Sequence, residues 1–460
     1  MSVLRLTIPV GMPDVHPRVR AVSQKLPGIL LVLWVLALPL EFTKRYFPNQ
    51  VIELSRVVIV LALLTFVAQI VLERREVRLP STTAMAALAA FLVYAAVSAA
   101  LSTSAQGIKT VLAMVAYMAM MLTVFNWTRT SGDHRRVWTA LAISAIVLAV
   151  VGLVLHMTGS YIWNAPDKGI LRVNATFGDP NIFARFLGIA IVTSVFLGAD
   201  LYQRWRPAAL WVAAALAATL ILPYTYSRAG WVFTLVVLVT AMVIARNRKR
   251  ALVLAAMVLA VFGLIALVDG SVLSRGAYLA QNLESPFTHP VNIDQAPSLT
   301  FLDKLPLDSV RHYLIGAGLI MFVQHPIFGI GFGAFSQALT GPYSAFVPQG
   351  FHTTASHTSI VSILAETGLF GLAIVLVFVV SFVRSTVEAV RRNGLQGTLS
   401  LAPALAILVI VLESQFSNRL FDEPYLWLFL GLAFAAHAGL QDEAVVAATA
   451  PAAARQPSAS

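Results

Sequence analysis

Long apolar runs alternate with short polar turns along nearly the whole chain, and a helix crosses a bilayer with about 17–25 mostly apolar residues. Twelve such runs stand near residues 27–42, 53–72, 82–101, 109–127, 137–157, 182–200, 208–224, 229–245, 251–268, 358–383, 398–414 and 423–440. The pattern predicts an all-α polytopic membrane protein with about twelve transmembrane helices. Porin-like barrels show alternating segments of about ten residues, and the sequence has none of these. The apolar pattern lapses for long only once, over residues 269–357. Irregular connections longer than about 12–15 residues are uncommon between packed elements and tend to carry function, so this segment is where chemistry is expected.

The composition of the long loop changes partway. Residues 269–306 are rich in Ser, Asn, Asp and Pro and read as irregular chain with room for short helices, broken at His289-Pro290 and Ala296-Pro297. From Asp308 the pattern becomes amphipathic. Asp308 and Ser309 can cap a helix, and Val310, Tyr313, Leu314, Ala317 and Ile320/Met321 recur at helical spacing. This helix is too short and too polar at its start to span. It is expected to lie along the outer interface and to end at His325-Pro326 and the glycine turn Gly329 to Gly333.

Composition agrees with a membrane protein: 58% of the 460 residues are hydrophobic and 12% charged, with mean hydropathy +0.80, against roughly 25% charge in a soluble domain. The net charge of +11 would suit nucleic acid, but its distribution follows lipid topology instead. With the N-terminus in the cytoplasm, Arg74/Arg75/Arg78, Arg129/Arg135/Arg136, Arg204/Arg206, Arg246/Arg248/Lys249/Arg250 and Arg384/Arg391/Arg392 all fall on the inner side, as the positive-inside rule requires. Loop 269–357 then lies outside, and both termini lie inside.

The domain organisation follows: an N-terminal tail over 1–25, helices 1–9 over 26–268, the outer loop 269–357, helices 10–12 over 358–440, and a tail over 441–460. Both tails lack a core-forming pattern and read as disordered. Arg18, Arg20 and Lys25 before the first run imitate a signal peptide, yet no small-residue cleavage site follows Leu38-Pro39-Leu40-Glu41, so the first span is read as uncleaved. Cysteine is absent, which excludes disulfides and thiolate chemistry. A second outer loop, 158–181, carries Lys168, Arg172 and Ala175 to Asn181.

A titratable side chain at the membrane edge is costly unless paired or functional, so the outward-facing ones form a short list. His357 heads it. In a helix starting there, Val361, Leu364 and Gly368 share its face, with Gly371 close by, so His357 would stand above a shallow glycine-lined groove open to another helix or an isoprenoid chain. The plainer alternative is a histidine capping a small-residue packing seam. Arg228 sits in the short outer turn Tyr224 to Gly230; its planar fork suits phosphate oxygens, and its alternative role is snorkelling to headgroups. Arg311 opens the amphipathic helix, where a cation opposes the helix dipole and an anionic partner, substrate or lipid phosphate, would compensate. His156, His289, His312, His325 and His352 read as surface or interfacial residues, His352 being the nearest rival to His357. Glu366, nine residues on, reads as a buried structural acid.

Several mechanisms find no support. There is no HExxH or other zinc cluster, no Walker A loop, no Gly-x-Ser-x-Gly elbow and no Asp-x-Asp pair for a divalent ion, so neither metal nor cofactor is expected. The outer carboxylates Asp179, Asp294, Asp303, Asp308, Asp422 and Glu423 are scattered.

The string His357 to Gly371, a histidine followed by a small polar residue, nine residues and Gly-x-x-Gly after a large outer loop, resembles the signature of the O-antigen ligase and polymerase superfamily. Arg311 to Phe335 and Phe177-Gly-Asp-Pro-Asn181 look like the same family, as does the twelve-span layout. The resemblance implies a GT-C-like glycosyltransferase architecture in the bacterial inner membrane, with the active site on the periplasmic side. Such enzymes transfer a glycan from an undecaprenyl-diphosphate carrier to an acceptor hydroxyl, which for the ligases belongs to lipid A-core. His357 matches the family's essential histidine, and Arg228 and Arg311 its two important arginines. Thr358 departs from the commoner Asn or Ser after the histidine, without touching the histidine's role.

The residue chemistry is compatible with this. An imidazole, with an ordinary pKa of about 6.5, is available as a base near neutral pH. Two fixed guanidiniums can stabilise a leaving diphosphate without a metal. A single displacement would invert the anomeric centre. Asn181, Arg185 and Asp422 are expected in the wall of the site, and Gly368 and Gly371 beside the donor lipid. The nearest rival is an O-antigen polymerase, followed by a protein-directed oligosaccharide transferase. A transporter without catalysis would instead place ionisable residues along a midplane path.

Overall fold

The computed structural model describes residues 2–6, 17–46, 52–73, 76–162, 172–201, 205–274, 308–344, 356–391, 394–417 and 419–440. Helices α1 (Pro17–Ala37), α2 (Leu54–Glu73), α3 (Thr83–Leu101), α4 (Ala105–Trp127), α5 (Ser131–Thr158), α6 (Pro180–Asp200), α7 (Trp205–Ile221), α8 (Arg228–Ile244) and α9 (Arg248–Val268) precede the long loop. Within it lie α10 (Asp308–Gln324) and the short α11 (Phe335–Thr340), and α12 (Ser359–Arg391), α13 (Leu395–Ser417) and α14 (Pro424–Ala438) follow. Every run read as a span is helical. Among the described residues nine helices are long and apolar enough to cross a membrane, while Lys25–Ala37, α8 and α14 are apolar but shorter.

Helix starts are set by local capping. Thr82, Ser104, Ser227 and Asn247 each accept a backbone N–H from the first turn of α3, α4, α8 and α9. Thr130 and Asp133 form a reciprocal capping box on α5, and Asp179 caps α6 just before Pro180. Each device satisfies N–H groups that the helix leaves without partners.

Two helices occupy the centre. The apolar window of α6 is entirely buried, as is α14 from Pro424 to His437. Helix α6 packs against α7, α8, α9 and α13, and α14 against α4 and α13. Large apolar side chains instead face outward on the periphery, including Leu64 (62% exposed), Val93 (65%) and Leu252 (61%) on α2, α3 and α9. Such a surface is stable in hydrocarbon and aggregation-prone in water.

The N-terminal segment corrects one expectation. Ser2–Leu6 is a strand antiparallel to Val77–Ser81, in register from Ser2 opposite Ser81 to Leu6 opposite Val77, and helix begins at Pro17 rather than after residue 25. The 77–81 segment has main-chain groups to satisfy on both sides. Ser2–Leu6 takes one edge, and the Asn126 amide takes the other by bonding both N and O of Arg78 at 2.9 Å. Residues 441–460, expected to be disordered, and 275–307, most of the stretch expected to be irregular, lie outside the described residues.

Helix α10 appears where the amphipathic pattern placed it, burying Leu314, Ala317 and Met321 against α12. Gly329, Gly331 and Gly333 all adopt positive φ, the conformation for which a glycine turn is needed. Helix α12 is not continuous. At Gly368 φ is 61° and ψ −162°, a region essentially confined to glycine. The turn 326–331 docks into this break: Ile330 N and Gly331 N donate to Ala365 O (2.9 Å) and Glu366 O (3.1 Å), while Leu369 N and Phe370 N donate to Pro326 O (2.8 Å) and Ile327 O (3.0 Å). Tyr94 donates its hydroxyl to Phe328 O and lies equally close to Thr367 O. Backbone freed by the break is thus satisfied by protein, as a kink at membrane depth requires. The 33 residues of α12 rise about 50 Å, well beyond the ~30 Å hydrocarbon core. The helix beyond Gly368 suffices to span, which leaves Ser359–Thr367 at the outer edge.

Candidate functional site

Alternation of spans brings the turns after α1, α3, α5, α7, α9 and α13 to one end of the bundle, here called the outer end. A buried charge network organises it. Arg185 of α6 and Glu423 at the start of α14 are each 1% exposed and form an ion pair at 2.7 Å. Arg185 also donates to Arg419 O at 2.8 Å and to the Ser417 hydroxyl. Arg419 reaches the other way to Glu41, at 2.7 Å, with Glu423 at 4.0 Å. Glu41 accepts from Gly178 N at 2.9 Å. Three outer turns, 41–46, 172–179 and 418–423, are thereby locked together.

The environment fixes the charge states. Burial would raise the Glu41 carboxyl, but Arg419, Lys44 and the Gly178 N–H outweigh it and hold the pKa below its usual value. Burial would likewise lower Arg419, and Glu41, Glu423 and Asp422 reverse this, keeping it firmly protonated.

Beside the network lies a cavity of about 260 Å³. Gln106 and Thr110, one turn apart on α4, form one wall; Ser359, Ser362, Ile363 and Glu366, at i, i+3, i+4 and i+7 on α12, form the other. Phe332 and Gly333 of the glycine turn, Thr367, Ser417 and residues 419–422 line it too. The turn is pressed onto α4: Ser104 donates to Gly333 O at 2.7 Å, and a Cβ on Gly107 would stand 2.1 Å from Phe332 O. Phe421 stacks on Phe91 with ring centroids 4.7 Å apart, and Phe332 packs edge-on against Phe91. Glu366 accepts from Phe335 N at 3.2 Å and also lines the cavity.

His357 stands two residues before α12 rather than inside it, with φ +57°. A left-handed residue without glycine is uncommon, though histidine is among the types enriched there. Ser356 holds the corner: its Oγ accepts from Thr358 N (3.1 Å), donates to Thr358 O (2.8 Å) and meets Ser362 Oγ at 2.7 Å. Because His357 lies outside the helix, the face shared with Val361, Leu364 and Gly368 does not exist. Nor is there a glycine-lined groove. A Cβ on Gly368 would stand 2.4 Å from Ile327 O, and one on Gly371 would meet Thr367 and, at 3.2 Å, the Tyr94 ring. Protein fills the space once assigned to the donor lipid.

Arg228 is the first residue of α8, after the Ser227 cap. Arg172 ties this turn to Asn181, donating to Thr225 O at 3.0 Å and Asn181 Oδ1 at 2.9 Å. The segments that follow His357 and Arg228 both reach the outer end of α13. Ser359 and Ile360 bond to Ser414 O and Gln415, while Phe233 packs on Phe416 with centroids 5.4 Å apart. Arg311 falls in the first turn of α10, with its side chain outside the described part; His289 and His352 also lie outside it.

Asp422 lines the cavity, as a wall residue should. Arg185 does not; it is buried behind Ser417 and Glu423 and supports the wall from within. Arg419, Glu41, Gln106, Thr110, Ser359 and Ser362 were not anticipated. Arg419 alone carried a signal, being a permanent cation in a short outer turn, the same argument that singles out Arg228. Among the described residues no group of three His, Asp or Glu side chains is placed to hold a metal ion.

Residues 213–376 match the family model described as O-antigen ligase. The match runs from α7 into α12 and includes Arg228, Arg311, the glycine turn, His357 and Glu366. Asn181, Arg185, Arg419 and Asp422 lie outside it. No curated protein matches the chain.

Proposed function

We propose that this chain, whose residues 213–376 match the O-antigen ligase family model, is an O-antigen ligase that transfers a glycan from undecaprenyl diphosphate to a sugar hydroxyl of lipid A-core. The protein sits in the bacterial inner membrane with the outer end facing the periplasm and both termini in the cytoplasm. The observation that supports this reading is the convergence of two segments on one helix end, both within the matched stretch: Ser359, two residues after His357, donates to Ser414 O, and Phe233, five residues after Arg228, packs on Phe416.

The chemistry runs as one displacement. The acceptor hydroxyl gives its proton to the His357 imidazole as its oxygen attacks the anomeric carbon. The bond from that carbon to the diphosphate oxygen breaks, and Arg228 and Arg311 take up the negative charge left on the diphosphate. Configuration inverts, and the chain's own guanidiniums serve where other enzymes use a metal. The positive φ of His357 supports the base assignment, because strained residues persist where the surroundings over-determine them, commonly at active sites.

Purified protein reconstituted with a defined polyprenyl-diphosphate glycan and lipid A-core tests this directly. Glycan appears on the core if the reading is right, and none appears if it is wrong. In cells lacking the protein, loss of all long chains from the core marks a ligase, whereas a single attached repeat marks a polymerase.

A further inference from the structure

We infer that the cavity between α4, α12 and the 418–422 turn is a subsite for one neutral pyranose ring of the glycan substrates. The inference rests on the transfer reading and names what that site holds.

Size is the first argument. A cavity of about 260 Å³ lies just below the ~300–1,000 Å³ of sites for drug-sized ligands, which suits a single ring. The second is the kind of polar group. Among the described residues the side chains of Gln106, Thr110 and Asp422 make no hydrogen bond within the protein, although all three line the cavity. The contrast is sharpest for Thr110, since Thr123, Thr193, Thr219 and Thr367 all return their hydroxyls to the carbonyl four residues back. An amide, a hydroxyl and a carboxylate together accept and donate as a ring of sugar hydroxyls demands.

Charge is the third argument, and it separates sugar from diphosphate. Among the described lining residues Arg419 is the one cation, and Glu41 and Glu423 already engage it. Asp422 adds a carboxylate to the same lining, so an anion entering it would meet repulsion, whereas neutral hydroxyls find acceptors. The Phe332 and Phe421 rings, fixed against Phe91, offer the apolar surface on which the C–H face of a pyranose rests.

The test is ligand-observed NMR on the full-length protein in detergent micelles, with a panel of methyl pyranosides and no donor lipid present. At least one pyranoside binds saturably. Its affinity falls about tenfold or more, some 1.4 kcal/mol, both in Thr110→Trp, which fills the cavity, and in the Gln106→Ala, Asp422→Asn double variant, which removes hydrogen bonds without filling it. Inorganic pyrophosphate does not displace it. The inference is overturned if no pyranoside binds, if binding survives in a folded form of either variant, or if pyrophosphate competes. Protein that transfers glycan yet binds no pyranoside sinks the subsite alone; protein that binds pyranosides but transfers nothing sinks the transfer reading alone.

Discussion

Arg419 stands 2.7 Å from Glu41, joining the last outer turn of the chain to the first across 378 positions of sequence. Glu41 is only 6% exposed, so without the guanidinium its charge would be desolvated and poorly compensated. Removing one partner of a buried pair costs about 3–5 kcal/mol. Arg419→Ala is therefore expected to lower the melting temperature in detergent markedly, with Arg419→Lys intermediate. A melting temperature for Arg419→Ala within error of wild type would show that the pair does not hold the turns together.

The same pair makes a pH prediction. The folded-state pKa of Glu41 lies below its ordinary 4.5, so the unfolded chain binds the proton more readily. Its contribution to stability is complete above about pH 4.5 and is lost as pH falls through the lower folded value. Wild type should lose melting temperature on acidification through that window. Glu41→Gln should start lower at neutral pH and change less, and parallel curves for the two proteins would contradict the assignment.

Gly368→Ala is expected to be severe. The new methyl group would meet the Ile327 carbonyl at 2.4 Å, and the backbone there lies in a region that costs other residues about 1–3 kcal/mol. Little monodisperse protein should survive size-exclusion chromatography. Tyr94→Phe, which removes only the hydroxyl at the docked turn, should cost about 1 kcal/mol and remain soluble in detergent. Gly371→Ala meets side chains rather than backbone and should fall between the two.

His357 allows function to be separated from stability. His357→Gly relieves the positive φ and should melt at or above the wild-type temperature, while glycan transfer in the reconstituted assay falls by about 10²–10⁴, the usual contribution of a general base. Retained transfer would remove His357 from the mechanism.

These predictions mark how far the sequence could be read. The spans were legible because a bilayer demands a long uniform signal, and α10 with its glycine turn because amphipathic spacing and positive-φ glycines are local features. Gly368 misled for the converse reason. A glycine at helical spacing from His357 looks like a groove, and only the distant 326–331 segment reveals that it is a break filled by protein. Arg185 is expected in the wall of the site, but its partners Ser417 and Glu423 lie more than 230 residues away, beyond any local pattern. Gln106 and Thr110 are ordinary residues at the start of a span, and nothing short of the fold distinguishes them.

The burial of α14 on all sides bears on how the protein is made. This helix is synthesised some 300 residues after α4 and α5, yet it seats beside α4 and stacks Phe429 against Trp138 of α5 at 5.4 Å. The spans that line its seat are therefore made well before the helix that fills it.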